Sequence, residues 1–162
     1  DFKGRRSLTL FLYSMIVYRI ILEKYASLQA SGIDGRWNSY GNKILYTTGS
    51  RALACLENVV HRSGEGLQEL FKTLVIDIPS SERIEKITQT DLPKNWQQYN
   101  KEHFCRMIGD DWCYRQESLV LQVPSIIIPN EFNYLINTQH KNFKKVKLKA
   151  IEPFIFDTRI KQ

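Results

Sequence analysis

Arg19 stands inside an apolar run, "IVYRIIL" (16–22). A guanidinium placed there is withdrawn from water on at least one side and needs an anionic partner. Two partners fit: an anionic ligand, or an internal carboxylate such as Glu57. Arg36 lies in "GRWN" (35–38), within a glycine-containing loop. Glycine lets backbone approach a ligand closely, arginine offers a planar fork for phosphate or carboxylate, and Trp37 offers an apolar wall. The same four residues also fit a loop anchored by a buried Trp37, with Arg36 in solvent. Tyr46 and Glu57 form a third pair. Glu57 follows Leu53 by one helical turn and lies about 40° around from it, so its carboxylate points to the apolar side. An unpartnered buried carboxylate is costly, so Glu57 requires a role, whereas Tyr46 also fits plain core packing. Ser125 follows a proline in "VPS" (123–125), and Asn137 and His140 bound "NTQH" (137–140). A hydroxyl, an amide and an imidazole can bind or move a proton; each also fits an ordinary surface position.

The elements that must position these groups are readable. "MIVYRIIL" is rich in β-branched residues and predicts a strand; "ILYTT" (44–48) predicts a second. Residues 23–43 form a glycine-punctuated loop. Ser50 is the expected N-cap of a helix over about 51–62, whose Leu53, Leu56 and Val60 should face a core. "EGLQELF" (65–71) predicts a short helix. "KTLVIDIP" (72–79) predicts a strand closed by Pro79. Residues 80–100 read as loop with a helical turn or two. "NKEHFCRMIGDDWCYRQ" (100–116) has helical spacing, with Gly109 expected to end or kink it. "SLVLQVPSIIIP" (118–129) predicts two short strands broken at Pro124, and "FNYLINTQHKNF" (132–143) is mixed. "KKVKLKAIEPFIF" (144–156) alternates early and predicts a half-exposed strand. About six strands and few helices give a single α+β domain.

A chain of 162 residues is long enough for one sizeable core. The net charge of +6 is concentrated in Lys3, Arg5 and Arg6 and in Lys141, Lys144, Lys145, Lys147 and Lys149. Such a strip attracts phosphates or nucleic acid, or protects a strand edge. Cys55, Cys105 and Cys113 show no zinc spacing and fit reduced thiols of a cytoplasmic protein. The apolar run from Leu8 to Tyr18 is too short to span a bilayer. Residues 1–14 are expected to be a non-native or disordered extension, and 15–162 the domain. There is no P-loop, no dinucleotide fingerprint and no Gly-x-Ser-x-Gly elbow.

In order and rough spacing, "YRI" (18–20), "GRWN", "LYTTGSRALACLENVVH" (45–61), "VPS", "NTQH" and "FIFDTR" (154–159) resemble the RES-domain family, over nearly all of the chain after Met15. The resemblance implies an ADP-ribosyltransferase-like fold, with mixed or antiparallel sheets and a few helices around an NAD cleft. It implies a bacterial, cytoplasmic toxin that cleaves the nicotinamide–ribose bond of NAD by hydrolysis or phosphorolysis, or that transfers ADP-ribose to a protein. NAD is then the substrate and no metal is expected. The implied partner is an Xre-type antitoxin, with room for a toxin homodimer in the complex and contact with DNA only through the antitoxin. Two departures stand out: Asp34 precedes Gly35 where the family usually has glycine, and Thr138-Gln139 follows Asn137 where the family often has proline.

On this resemblance Glu57, Arg36 and Tyr46 are the catalytic set. Arg19, Arg36, Tyr46, Ser125, Asn137 and His140 bind NAD. Glu57 would stabilise the positive charge that develops on the ribose, and two flanking arginines would depress its pKa. Two rivals remain: a non-catalytic nucleic-acid-binding module built on the lysine strip, which leaves Arg19 and Glu57 unexplained, and a degenerate domain that only binds its antitoxin.

Overall fold

The computed structural model describes residues 14–61 and 70–160. The expectation for the N-terminal extension falls outside these residues except at Ser14. The helix expected over 65–71 falls outside them as well, save Leu70 and Phe71. Phe71 is already strand.

One mixed sheet of seven strands organises the described residues, against about six expected. The strands are β1 (Met15–Leu22), β2 (Ile44–Thr48), β3 (Phe71–Ile78), β4 (Ile84–Lys86), β5 (Val120–Pro124), β6 (Phe132–Asn137) and β7 (Lys147–Phe154). Their order is β4-β5-β6-β2-β1-β3-β7. Only β4–β5 is parallel. Among the described residues two α-helices, α1 (Arg51–His61) and α2 (Glu102–Arg115), complete an α+β domain. The Ser50 hydroxyl accepts the Leu53 N–H at 3.1 Å, the cap its position predicts.

Alternation along the strands splits apolar residues between two faces. Ile44, Leu121, Val123 and Leu135 pack with Trp112 of α2 on one face. Val17, Leu45, Val120 and Ile136 pack on the other. A third cluster joins α1 to β1 and β3 through Ala54, Ile20, Phe71 and Phe156. The edge strand β7 alternates exposed and half-buried residues, with Lys147, Lys149 and Pro153 exposed. Lysines and a proline on an edge discourage pairing with another chain.

Four expectations need correction. Leu56 and Val60 do not face a core: they are 39% and 57% exposed. The buried side of α1 runs through Leu53, Ala54, Glu57 and Asn58, leaving both on its flank. The second strand expected after Pro124 does not form, because the Ser125 hydroxyl accepts the N–H groups of Ile127 and Ile128 and holds them in a turn. Ile84–Lys86 in the expected loop is a strand; three residues carry too little period to be read.

The fourth concerns Gly109, which neither ends nor kinks α2. Helix and loop meet there: a Cβ on Gly109 would overlap the backbone carbonyl of Trp37. Backbone cannot swing aside as a side chain can. Gly109→Ala is therefore expected to lower stability by about 1–3 kcal/mol despite alanine's better helix propensity. A thermal melt checks it; an unchanged or raised Tm would show that the loop yields.

Candidate active site

β1 and β2 are neighbours but meet only at Tyr18↔Thr48. β1 and β3, by contrast, stay paired from Met15↔Ile78 to Leu22↔Phe71. The sheet therefore opens between β1 and β2, and a cleft of about 430 Å³ lies in the opening. β1 contributes Arg19, the 33–37 loop Arg36, β2 Tyr46, α1 Glu57 and His61, and β6 Asn133. A split sheet supplies groups from both halves without breaking either core.

Glu57 is held at the cleft wall with its side chain 15% exposed. Oε1 accepts from Asn133 Nδ2 at 2.7 Å and from the Ser125 hydroxyl at 3.0 Å. Oε2 lies 3.2 Å from His61 Nε2. Burial pushes the Glu57 pKa up, but the hydrogen bonds from His61, Asn133 and Ser125 outweigh it and hold the carboxyl below its usual range. The direction expected from sequence is met; its cause differs. Two flanking arginines were expected, and the partners are a histidine, an amide and a hydroxyl. Arg19 is not the partner of Glu57 either, so the internal ion pair does not form.

Arg19 is half-buried and has no hydrogen-bond or ion-pair partner among the described residues; burial alone lowers its pKa. It lines the same cleft as Glu57. An unpaired guanidinium facing a cavity is matched by an anion entering that cavity. Arg36 is fixed instead. Its guanidinium donates to the carbonyls of Trp96 and Gln97 at 3.3 and 3.4 Å and lies 3.8 Å from Glu102. Trp37 is buried beside Trp96, ring centroids 6.3 Å apart. Both readings of "GRWN" are thus half met: Trp37 anchors the loop, and Arg36 lines the cleft rather than standing in solvent.

Tyr46 is both wall and clamp. Its hydroxyl donates to Asn38 Oδ1 at 2.6 Å and accepts the Trp37 N–H at 3.1 Å. Burial raises its pKa strongly, so the phenol stays neutral. Gly35 is required here, since a Cβ would come 2.7 Å from that hydroxyl. From α2, Arg106 donates to the Gly35 carbonyl and Asp110 accepts from the Ser39 N–H. The loop that carries Arg36 is thereby pinned from both sides.

The remaining expected residues separate. Ser125 is fully buried behind Glu57 and acts on its carboxylate. Asn137 and His140 do not line the cleft. Asn137 Oδ1 accepts the Gln139 N–H. His140 bonds the Gln116 carbonyl through Nε2 and accepts the Asn142 N–H at Nδ1, beside a second, polar cavity. An i, i+4 spacing from Glu57 marks His61 as its neighbour on the helix, a signal available in the sequence. Asn133 had none, because β6 reaches Glu57 only through the sheet.

Three comparisons bear on this cleft. The RES domain family model matches residues 16–157. The Prs ADP-ribosylating toxin of Sphingobium sp. (strain YBL2) is 36% identical over 128 residues, 78% of this chain and 80% of that one. Toxin Res of Yersinia enterocolitica is 34% identical over 154 residues, 91% of this chain and 100% of that one. In the crystal structure of the M. tuberculosis MbcT–MbcA toxin–antitoxin complex, one chain matches with a TM-score of 0.71 at 15% identity. The match covers 89% of this chain and 86% of that one, and shows a shared fold.

Proposed function

This chain belongs to the RES-domain family, and we propose that it is the toxin of a toxin–antitoxin pair that cleaves the nicotinamide–ribose bond of NAD. One observation carries the reading: an ionised, fixed Glu57 and an unpartnered Arg19 share one cleft without neutralising each other. That arrangement suits a ligand with anionic phosphates at one end and a developing cation at the other.

When the C1″–N bond of NAD breaks, nicotinamide takes the electron pair and becomes neutral, so no acid is needed. The ribose C1″ gains positive charge. Glu57 lies ready to stabilise it, and does so without reorganising because Ser125 and Asn133 already fix it. Arg19 and Arg36 bind the phosphates. The Tyr46 ring packs at the nicotinamide end, with its hydroxyl committed to the loop. Asn137 and His140, outside the cleft lining, take no part. In the cell, loss of NAD arrests growth in the bacterial cytoplasm until an Xre-type antitoxin, the partner that the family resemblance implies, covers the toxin.

The purified chain, freed of antitoxin, is expected to release nicotinamide from NAD. Product masses then separate free ADP-ribose from ADP-ribose-1″-phosphate made in phosphate buffer. No nicotinamide release from folded protein in buffer, phosphate or cell lysate would end the reading. A second reading, transfer of ADP-ribose to a protein, is favoured by the name of the Sphingobium relative, an ADP-ribosylating toxin. It uses the same cleft and differs in acceptor. It requires ADP-ribose mass on a lysate protein, with little free product.

A further inference from the structure

Glu57 has one oxygen fully engaged. Oε1 accepts from both Ser125 and Asn133, while Oε2 faces His61 Nε2 at 3.2 Å, one turn along α1. The His61 side chain lines the cleft and is 71% exposed. Among the described residues nothing bonds its Nδ1. A carboxylate on one imidazole nitrogen with the other open is the geometry of an oriented base.

We propose that His61, oriented by Glu57, is the base that takes the proton from the hydroxyl that accepts ADP-ribose. The proposal rests on the NAD-cleaving reading. The acceptor oxygen bonds to C1″ as the C1″–N bond breaks and its electron pair passes to nicotinamide. The acceptor's proton passes to His61 Nδ1, and the imidazolium formed beside Glu57 returns it to water. Glu57 is poorly suited to take that proton, being a weakened base with two donors on one oxygen. An imidazole with one nitrogen held by a carboxylate and the other facing the cleft is better matched.

The charges around His61 set its titration. From its own helix, the Glu57 hydrogen bond raises the pKa; burial and Arg36 from the facing loop lower it; the balance lies above 6.5. Arg19 of β1, Asp34 of the loop and Tyr46 of β2 also face the cleft. A base of this kind moves the acid limb of the rate out of the carboxylate range, to above 6.5.

The test is kcat/KM for nicotinamide release from roughly pH 5 to 9, in the parent and in His61→Gln. Gln keeps an N–H for Glu57 but cannot take a proton. The parent is expected to show a rate rising with pH through a limb above 6.5. The variant is expected to lose that limb and about 10²–10⁴ in rate at high pH. NMR titration of the His61 imidazole adds a readout free of turnover: its pKa is expected to fall in Glu57→Gln. An unmoved pKa breaks the pair. A limb that survives in His61→Gln, or a variant within twofold of the parent, overturns the base alone. A parent that releases no nicotinamide at any pH overturns the NAD reading and the base with it.

Discussion

Glu57→Gln is expected to slow nicotinamide release by roughly 10²–10³-fold or more while the chain stays folded. Gln matches Glu in size, so the wall keeps its shape. Its amide oxygen can still accept from Asn133 and Ser125, which hold Oε1 now. What disappears is the negative charge beside C1″, so kcat should fall far more than KM rises. A variant within tenfold of the parent would remove Glu57 from the chemistry. The stability effect has a defined pH window. The Glu57 carboxyl is held below 4.5 when folded, so its contribution is present above 4.5 and is lost as pH falls through the folded value. The His61 imidazole is held above 6.5, so its contribution is present below 6.5 and is lost as pH rises through the folded value. The loss of Tm in Glu57→Gln should therefore be greatest between those ranges and shrink at alkaline pH. A Tm difference constant with pH would show that the two groups are not coupled.

Local patterns carried most of the fold. β2 begins and ends where "ILYTT" does, and α1 begins behind the Ser50 cap, because β-branched alternation and an N-cap hydroxyl act within a few residues. What failed depended on distant chain. Leu56 and Val60 have helical apolar spacing, yet both stay exposed, because α1 turns Leu53 and Ala54 to the core instead. Gly109 reads as a helix breaker until Trp37 is seen against it. The site divides the same way. Arg19 and Glu57 stood out because each is a charge in an apolar setting, which costs free energy wherever the chain goes. The partners distant in sequence could not be read. Glu57 lies 76 residues from Asn133 and 68 from Ser125, and only the β2-β6-β5 order brings them together. Asn137 and His140 show the converse: Asn137 pairs with Ile44, which lines the cleft, yet its own amide oxygen is spent on the Gln139 N–H and His140 turns to the Gln116 carbonyl.

Arg19→Met should separate binding from stability by moving them in opposite directions. Arg19 is half-buried, partly withdrawn from water, with no carboxylate among the described residues to answer it; in most proteins that cost is removed by a partner or avoided. Methionine fills a similar volume without charge, and its flexible chain fits irregular space. The cleft admits water to part of the guanidinium, so the gain is on the order of 1 kcal/mol, well below the cost of a sealed charge. For a chain of this size that is a rise of roughly 2–4 °C in Tm. NAD should bind about 10–100-fold more weakly, the worth of a charge-assisted bond to phosphate. Glu57 is untouched, so at saturating NAD the chemical step should change far less than KM. Melting curves with and without NAD, beside the NAD dependence of nicotinamide release, measure both. A Tm several degrees lower would mean that Arg19 is a structural residue. An unchanged KM would mean that the phosphates lie elsewhere. A free-energy cost retained in the empty fold and relieved by an anion is a physical reason for an arginine in the middle of an apolar strand.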